Sequence, residues 1–145
     1  MNGLAAARAP WHLWVVGLLG LLWNAYGAFD YLMSVTRNEA YLAGFPPEMI
    51  ALLDSFPLWA NAAWAIGVWA SVLGSVLLLL RSRLAEWAFL ASVAGAAVSF
   101  IFQLTLELPP ELGEVMTMVM PLVIMVLIVL QWWYARRQAA AGVLR

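Results

Sequence analysis

The chain has no cysteine and no lysine, a single histidine, and few charges of either sign. Without cysteine it can form no disulfide, thiolate metal site or cysteine nucleophile. The lone histidine, His12, excludes paired-histidine haem ligation and a histidine-rich metal centre. No glycine-rich phosphate loop, nucleophile elbow or zinc-protease helix occurs. All seven basic residues are arginines, and they build no patch on which a nucleic acid could rest. Together these absences argue against an enzyme, a bound cofactor or metal, and a nucleic-acid partner.

What is abundant is hydrocarbon. Of 145 residues, 66% are hydrophobic and 10% charged, whereas a soluble domain carries about 25% charged residues. Four stretches have the roughly 20 residues needed to cross a hydrocarbon core of about 30 Å: Leu13–Val35, Leu58–Leu80, Leu84–Leu106 and Val115–Tyr134. The first begins like a signal peptide, with Arg8 ahead of an apolar run and "AYG" at 25–27. It runs on past the usual length, however, and holds Trp23 and Asn24, so a retained helix is expected. The expected fold is an all-α membrane protein, one four-transmembrane-helix bundle over residues 1–145, with the lipid bilayer as solvent.

Charge placement orients it. Arg8, Arg81, Arg83, Arg136, Arg137 and Arg145 gather at one end, and only Arg37 lies at the other. The positive-inside rule then puts both termini in the cytoplasm. Trp11, Trp14, Trp87, Trp132, Trp133 and Tyr134 mark the same boundary as an aromatic belt.

The first outer loop carries a pattern of its own. In "PPEMIALLDSF", Met49, Leu52, Leu53 and Phe56 form an i, i+3, i+4, i+7 stripe. Proline in the first turn followed by Glu48 favours a helix start. A short amphipathic interfacial helix is expected over about 47–56. "FPPEM" at 45–49 returns as "LPPEL" at 108–112, read here as shared helix-start chemistry rather than as a duplication.

Helices in lipid associate through small residues and interhelical hydrogen bonds. The packing faces expected on this basis are Gly20, Asn24, Gly27 and Tyr31 on the first helix and Gly67, Ser71, Gly74 and Ser75 on the second. The third offers Ser92, Gly95, Ala96, Ser99 and Gln103. The fourth, nearly without polar residues and bent at Pro121, is expected to face lipid.

Depth sorts the polar residues. Asn24 falls at the midplane, and Asp30 lies roughly 9 Å further out at a 1.5 Å rise per residue. Asn61 and Gln103 fall at similar depth, among Tyr31 and Trp64, with Trp23 and Trp69 beneath. Intramembrane ionisable residues are functional candidates. Asp30 is read either as a proton-exchanging group or as a carboxylate tied to Arg37 or Ser34. The candidate site is thus Asn24, Asp30, Tyr31, Asn61, Trp64 and Gln103, an outward-opening polar-aromatic pocket. Amides, a carboxylate and flat rings suit a polyhydroxylated or cationic small solute. The competing reading is a non-catalytic accessory or assembly subunit of a larger membrane complex, in which the tryptophans serve as belt and packing. Both readings imply association, as a homo-oligomer or with a membrane partner.

"LLWNAYGAFDYLMSVTRNEAYLAGFPPE" and "SFPLWANAAWAIGVWASVLGSVLLLLRSR", with the four-helix length, resemble a family of small bacterial inner-membrane proteins often labelled sugar transporters. The likeness covers most of residues 12–107. It is strongest at Trp23-Asn24, Gly27, Asp30-Tyr31, Thr36-Arg37-Asn38-Glu39, Phe56-Pro57 and Trp64. It implies a bacterial inner-membrane location and a sugar as the solute.

Overall fold

A computed structural model describes residues 7–145. Among these the chain is helical without strands, and four helices are long and apolar enough to cross a membrane. The spanning helices are α1 (Trp11–Val35), α4 (Leu58–Leu79), α5 (Leu84–Leu104) and α6 (Met120–Ala140), the last preceded by a π-helical turn, Val115–Val119. Two short helices, α2 (Glu39–Leu42) and α3 (Pro47–Ser55), lie between α1 and α4. The expected interfacial helix is α3, and Pro47 does occupy its first turn.

The close seams are the ones that small residues allow. α4 packs most extensively on α5, then on α1, and α6 packs on α5. Gly67, Ser71, Gly74 and Ser75 are all buried on α4. Ser92 and Gly95 are buried on α5, and the Ser92 hydroxyl donates to the Gly67 carbonyl. A Cβ on Gly95 would stand 2.6 Å from the Gly67 nitrogen and 2.7 Å from the Ala63 carbonyl oxygen, so the two backbones touch there. One expected seam residue is misplaced: a Cβ on Gly27 would meet nothing within 4 Å.

α1 ends on Arg37 and α4 on Arg81, both in the left-handed region, at φ 55° and 58°. In each case the reversed residue and its successor donate backward to two of the last helical carbonyls. Glycine is the usual residue at such a stop because a Cβ costs about 1–2 kcal/mol there. Each arginine recovers something through its side chain. Arg81 donates from Nε to the Val143 carbonyl at 3.1 Å and from Nη2 to the Ala7 carbonyl at 2.6 Å. The chain end is also pinned, since the Arg145 amide donates to the Arg81 carbonyl and the Arg83 amide to the Arg145 carbonyl. Around this clamp Leu13, Leu78, Phe89, Ala135, Val143 and Leu144 form the main buried cluster. The main buried cluster and the clamp on the chain end therefore share the arginine-rich end.

The fourth span departs from expectation in both directions. Its helix continues past Tyr134 to Ala140, where Gly142 at φ 72° stops it. At its other end the backbone passes through a π-turn just before Pro121. Proline has no N–H to offer the carbonyl four residues back, which belongs to Thr117. Gln103 Nε2 supplies the missing donor, reaching the Thr117 carbonyl oxygen at 3.1 Å. As expected, α6 is the most lipid-exposed span; the share of its apolar window buried is 11%, against 17–33% for the others.

Candidate functional site

The six candidate residues are divided among separate local structures. At mid-depth, Asn24 on α1 is buried and its Nδ2 donates to Gln131 Oε1 at 2.7 Å, to Ser75 Oγ at 2.9 Å and to the Ser71 carbonyl at 3.2 Å. Two amide hydrogens serve three acceptors, so one is shared. Ser75 Oγ in turn donates to the Ser71 carbonyl at 3.1 Å. This knot ties α1 to α4 and α6. The polar interior expected from the first three spans alone also takes in Gln131 on α6. Its amide is the one clue that could have been used, since an amide within a lipid-facing helix must find a protein partner.

Gln103 belongs to a second structure, the repair of the proline gap in the fourth span. Its partner is a carbonyl of that span, with no bond to Asn24. Asn61 sits in the first turn of α4 and donates to the Phe56 carbonyl at 3.3 Å, holding the end of α3 against the start of α4. All three carboxamides thus work within the fold.

The third structure is aromatic and lies at the acidic end. Tyr31 on α1 meets Trp64 on α4 edge-to-face, with ring centroids 4.9 Å apart. Phe56 contacts both Trp64 and Phe102, and Trp59 stacks edgewise on Phe102 at 5.0 Å. Tyr31 and Trp64 are the two candidates that touch each other. Trp23 and Trp69, expected as the floor of a pocket, are 37% and 43% exposed and face outward instead.

Asp30 has neither of the partners expected for it. The Tyr41 hydroxyl donates to Asp30 Oδ1 at 2.6 Å, while Arg37 pairs with Asp54 on α3. The reason is local. Arg37 turns the chain, and Asn38 then caps α2 by accepting the Tyr41 amide at 3.0 Å, which folds Tyr41 back over Asp30. The Asn-Glu pair at 38–39 is the sequence signal for this short helix. With side chains 42% and 63% exposed, the Arg37–Asp54 pair contributes at most about 1 kcal/mol.

Burial, followed by the hydrogen bond to Asp30 and its charge, raises the Tyr41 phenol well above its ordinary value of 10. A raised folded-state value means the contact contributes fully below about pH 10 and is lost as pH rises beyond it. In a spectrophotometric titration, the difference between the native chain and Tyr41→Phe should therefore show no phenolate signal near pH 10. A difference curve centred near 10 would contradict the Asp30–Tyr41 contact.

Two open surface hollows lie on the other half of the molecule. Both sit between α1 and α6, toward the arginine-rich end. No group of three or more acidic or histidine side chains is placed to hold a metal among the described residues. Comparison with protein-family models, curated proteins and solved structures gave no match.

Proposed function

We propose that this chain is a non-catalytic accessory or assembly subunit, held in a bacterial inner membrane with both termini in the cytoplasm. One observation carries the reading: the side-chain amide nitrogens of the candidate residues already donate to partners in the fold. Asn24, Asn61 and Gln103 each donate to a protein acceptor. Among the described residues, the only buried side-chain N or O without a hydrogen-bond partner is Trp132 Nε1. Amides placed to grip a solute would present their donors to a hollow, and these present them to the chain's own backbone and side chains. The exposed apolar residues of α6, from Leu122 through Leu130, leave a long surface for a neighbouring transmembrane helix.

The resemblance to proteins labelled sugar transporters supports a second reading, a carrier for a small polar solute assembled from two copies. The Tyr31–Trp64 pair near Asp30 favours it, because edge-packed aromatic rings suit a sugar face. A single preparation separates the two. The chain is purified in mild detergent and its thermal midpoint measured against a panel of sugars and amines, and co-purifying proteins are quantified. The accessory reading predicts no shift with any solute and one stoichiometric membrane partner. A ligand at 100 times its Kd would stabilise by about 2.7 kcal/mol; a shift of that size with a sugar overturns the accessory reading.

A further inference from the structure

We propose that the furrow between α1 and α6 at the arginine-rich end is a binding site for one anionic phospholipid, its phosphate in a polar chamber and an acyl chain in an apolar groove. The backbones of α1 and α6 make little close approach, and side chains join them instead. Two hollows follow the line between them. The one toward the helix ends, about 600 Å³, is lined by His12, Tyr134, Arg137 and Gln138. The one toward the membrane centre, about 450 Å³, is lined by Val16, Leu19, Trp23, Leu127 and Leu130. Trp133 and Tyr134 line both, so the two adjoin along the furrow.

Helical spacing makes the furrow one surface. His12, Val16, Leu19 and Trp23 follow one face of α1 at i, i+4, i+7 and i+11. Leu127, Leu130, Tyr134, Arg137 and Ala141 follow one face of α6. From residue 127 to residue 141 is roughly 21 Å at 1.5 Å per residue. That matches one leaflet with its headgroup, half of a bilayer some 40–45 Å thick. The polarity changes at the matching depth, apolar from 127 to 130 and hydrogen-bonding from 134 to 138.

Charge selects the headgroup. Arg137 lies over the Trp133 ring at 5.0 Å and, among the described residues, pairs with no carboxylate. Arg136, its neighbour, is turned away over Trp132 and lies 3.9 Å from Glu86, the one acidic side chain at this end. His12 and Tyr134 are hydrogen-bonded to each other at 2.5 Å, which fixes both rings at the chamber wall. A planar guanidinium held by a ring, with its edge donors unspent, recognises a phosphate. A second copy of the chain would bring its own arginine-rich end against this one, which charge disfavours.

The test uses the full chain in detergent, titrated with phosphatidylglycerol or phosphatidylcholine of matched acyl chains and read by native mass spectrometry. One phosphatidylglycerol should be retained per chain, in clear preference to phosphatidylcholine. Arg137→Gln should weaken phosphatidylglycerol retention about fivefold, the factor expected for one arginine at a membrane surface. Arg136→Gln should leave it unchanged, and Leu130→Trp, which fills the groove, should weaken both lipids. Thermal midpoints confirm that each variant is folded. Equal retention of the two lipids overturns the proposal, as does an Arg136→Gln effect equal to that of Arg137→Gln, which would mark diffuse attraction. Glycerophosphate binding as tightly as the lipid would also overturn it, because the groove would then have no occupant.

Discussion

Replacing Gly95 with alanine is expected to be the most damaging single-methyl change in the molecule. The added carbon would sit 2.6 Å from the Gly67 nitrogen and 2.7 Å from the Ala63 carbonyl oxygen, and both neighbours are backbone. Neither can swing aside, so α4 and α5 must separate along their most extensive seam. The Ser92–Gly67 hydrogen bond would be stretched with them. Overpacking costs typically 1–3 kcal/mol, and the rigid neighbours put this case near the top, at about 3 kcal/mol. Reversible unfolding in mixed micelles measures it. Gly27→Ala is the control: its Cβ meets open space, and alanine favours helix over glycine by roughly 0.5–1 kcal/mol. Equal losses from the two variants would contradict the packing assigned to Gly95.

The second large effect is expected at Asn24. Asn24→Leu removes the donor shared by Gln131, Ser75 and Ser71, and leaves the Gln131 amide without its partner on α1. Interhelical hydrogen bonds in membranes average about 0.6 kcal/mol and reach about 1.7 kcal/mol. For a donor group serving three acceptors on two helices, a loss of about 1–2 kcal/mol follows. The effect should appear as loosening of α6 from α1, because α1 and α4 retain their backbone contact and the seat of Leu79 against Gly17. Gln131→Leu should destabilise in the same direction.

The spans and their seams were legible in the sequence because lipid leaves few alternatives. An apolar run of about 20 residues has to be a helix, and glycine and serine at helical spacing mark where helices approach. α3 was legible for a similar reason, through a proline start and an amphipathic stripe. The partners of the polar side chains were not legible. Asn24, Asp30, Asn61 and Gln103 share a range of depth, but depth does not say which way each helix is rotated. Rotation directs Asn24 toward α4 and α6, while Gln103 reaches Thr117. A fourth span ending at Tyr134 leaves Gln131 only three residues from its end. The helix runs six residues further and carries Gln131 inward. Tyr41 gives no periodic signal in the sequence because α2 has four residues, too few to show a period.

A double-mutant cycle on Asn24→Leu and Gln131→Leu measures most directly whether the mid-membrane amides hold the helices together. Unfolding free energies of the native chain, both single variants and the double variant isolate the coupling between the two side chains. A coupling of about 0.5 kcal/mol or more, with the double variant little worse than either single one, is the predicted result. Strict additivity, or single variants as stable as the native chain, would mean that Asn24 and Gln131 do not bind each other.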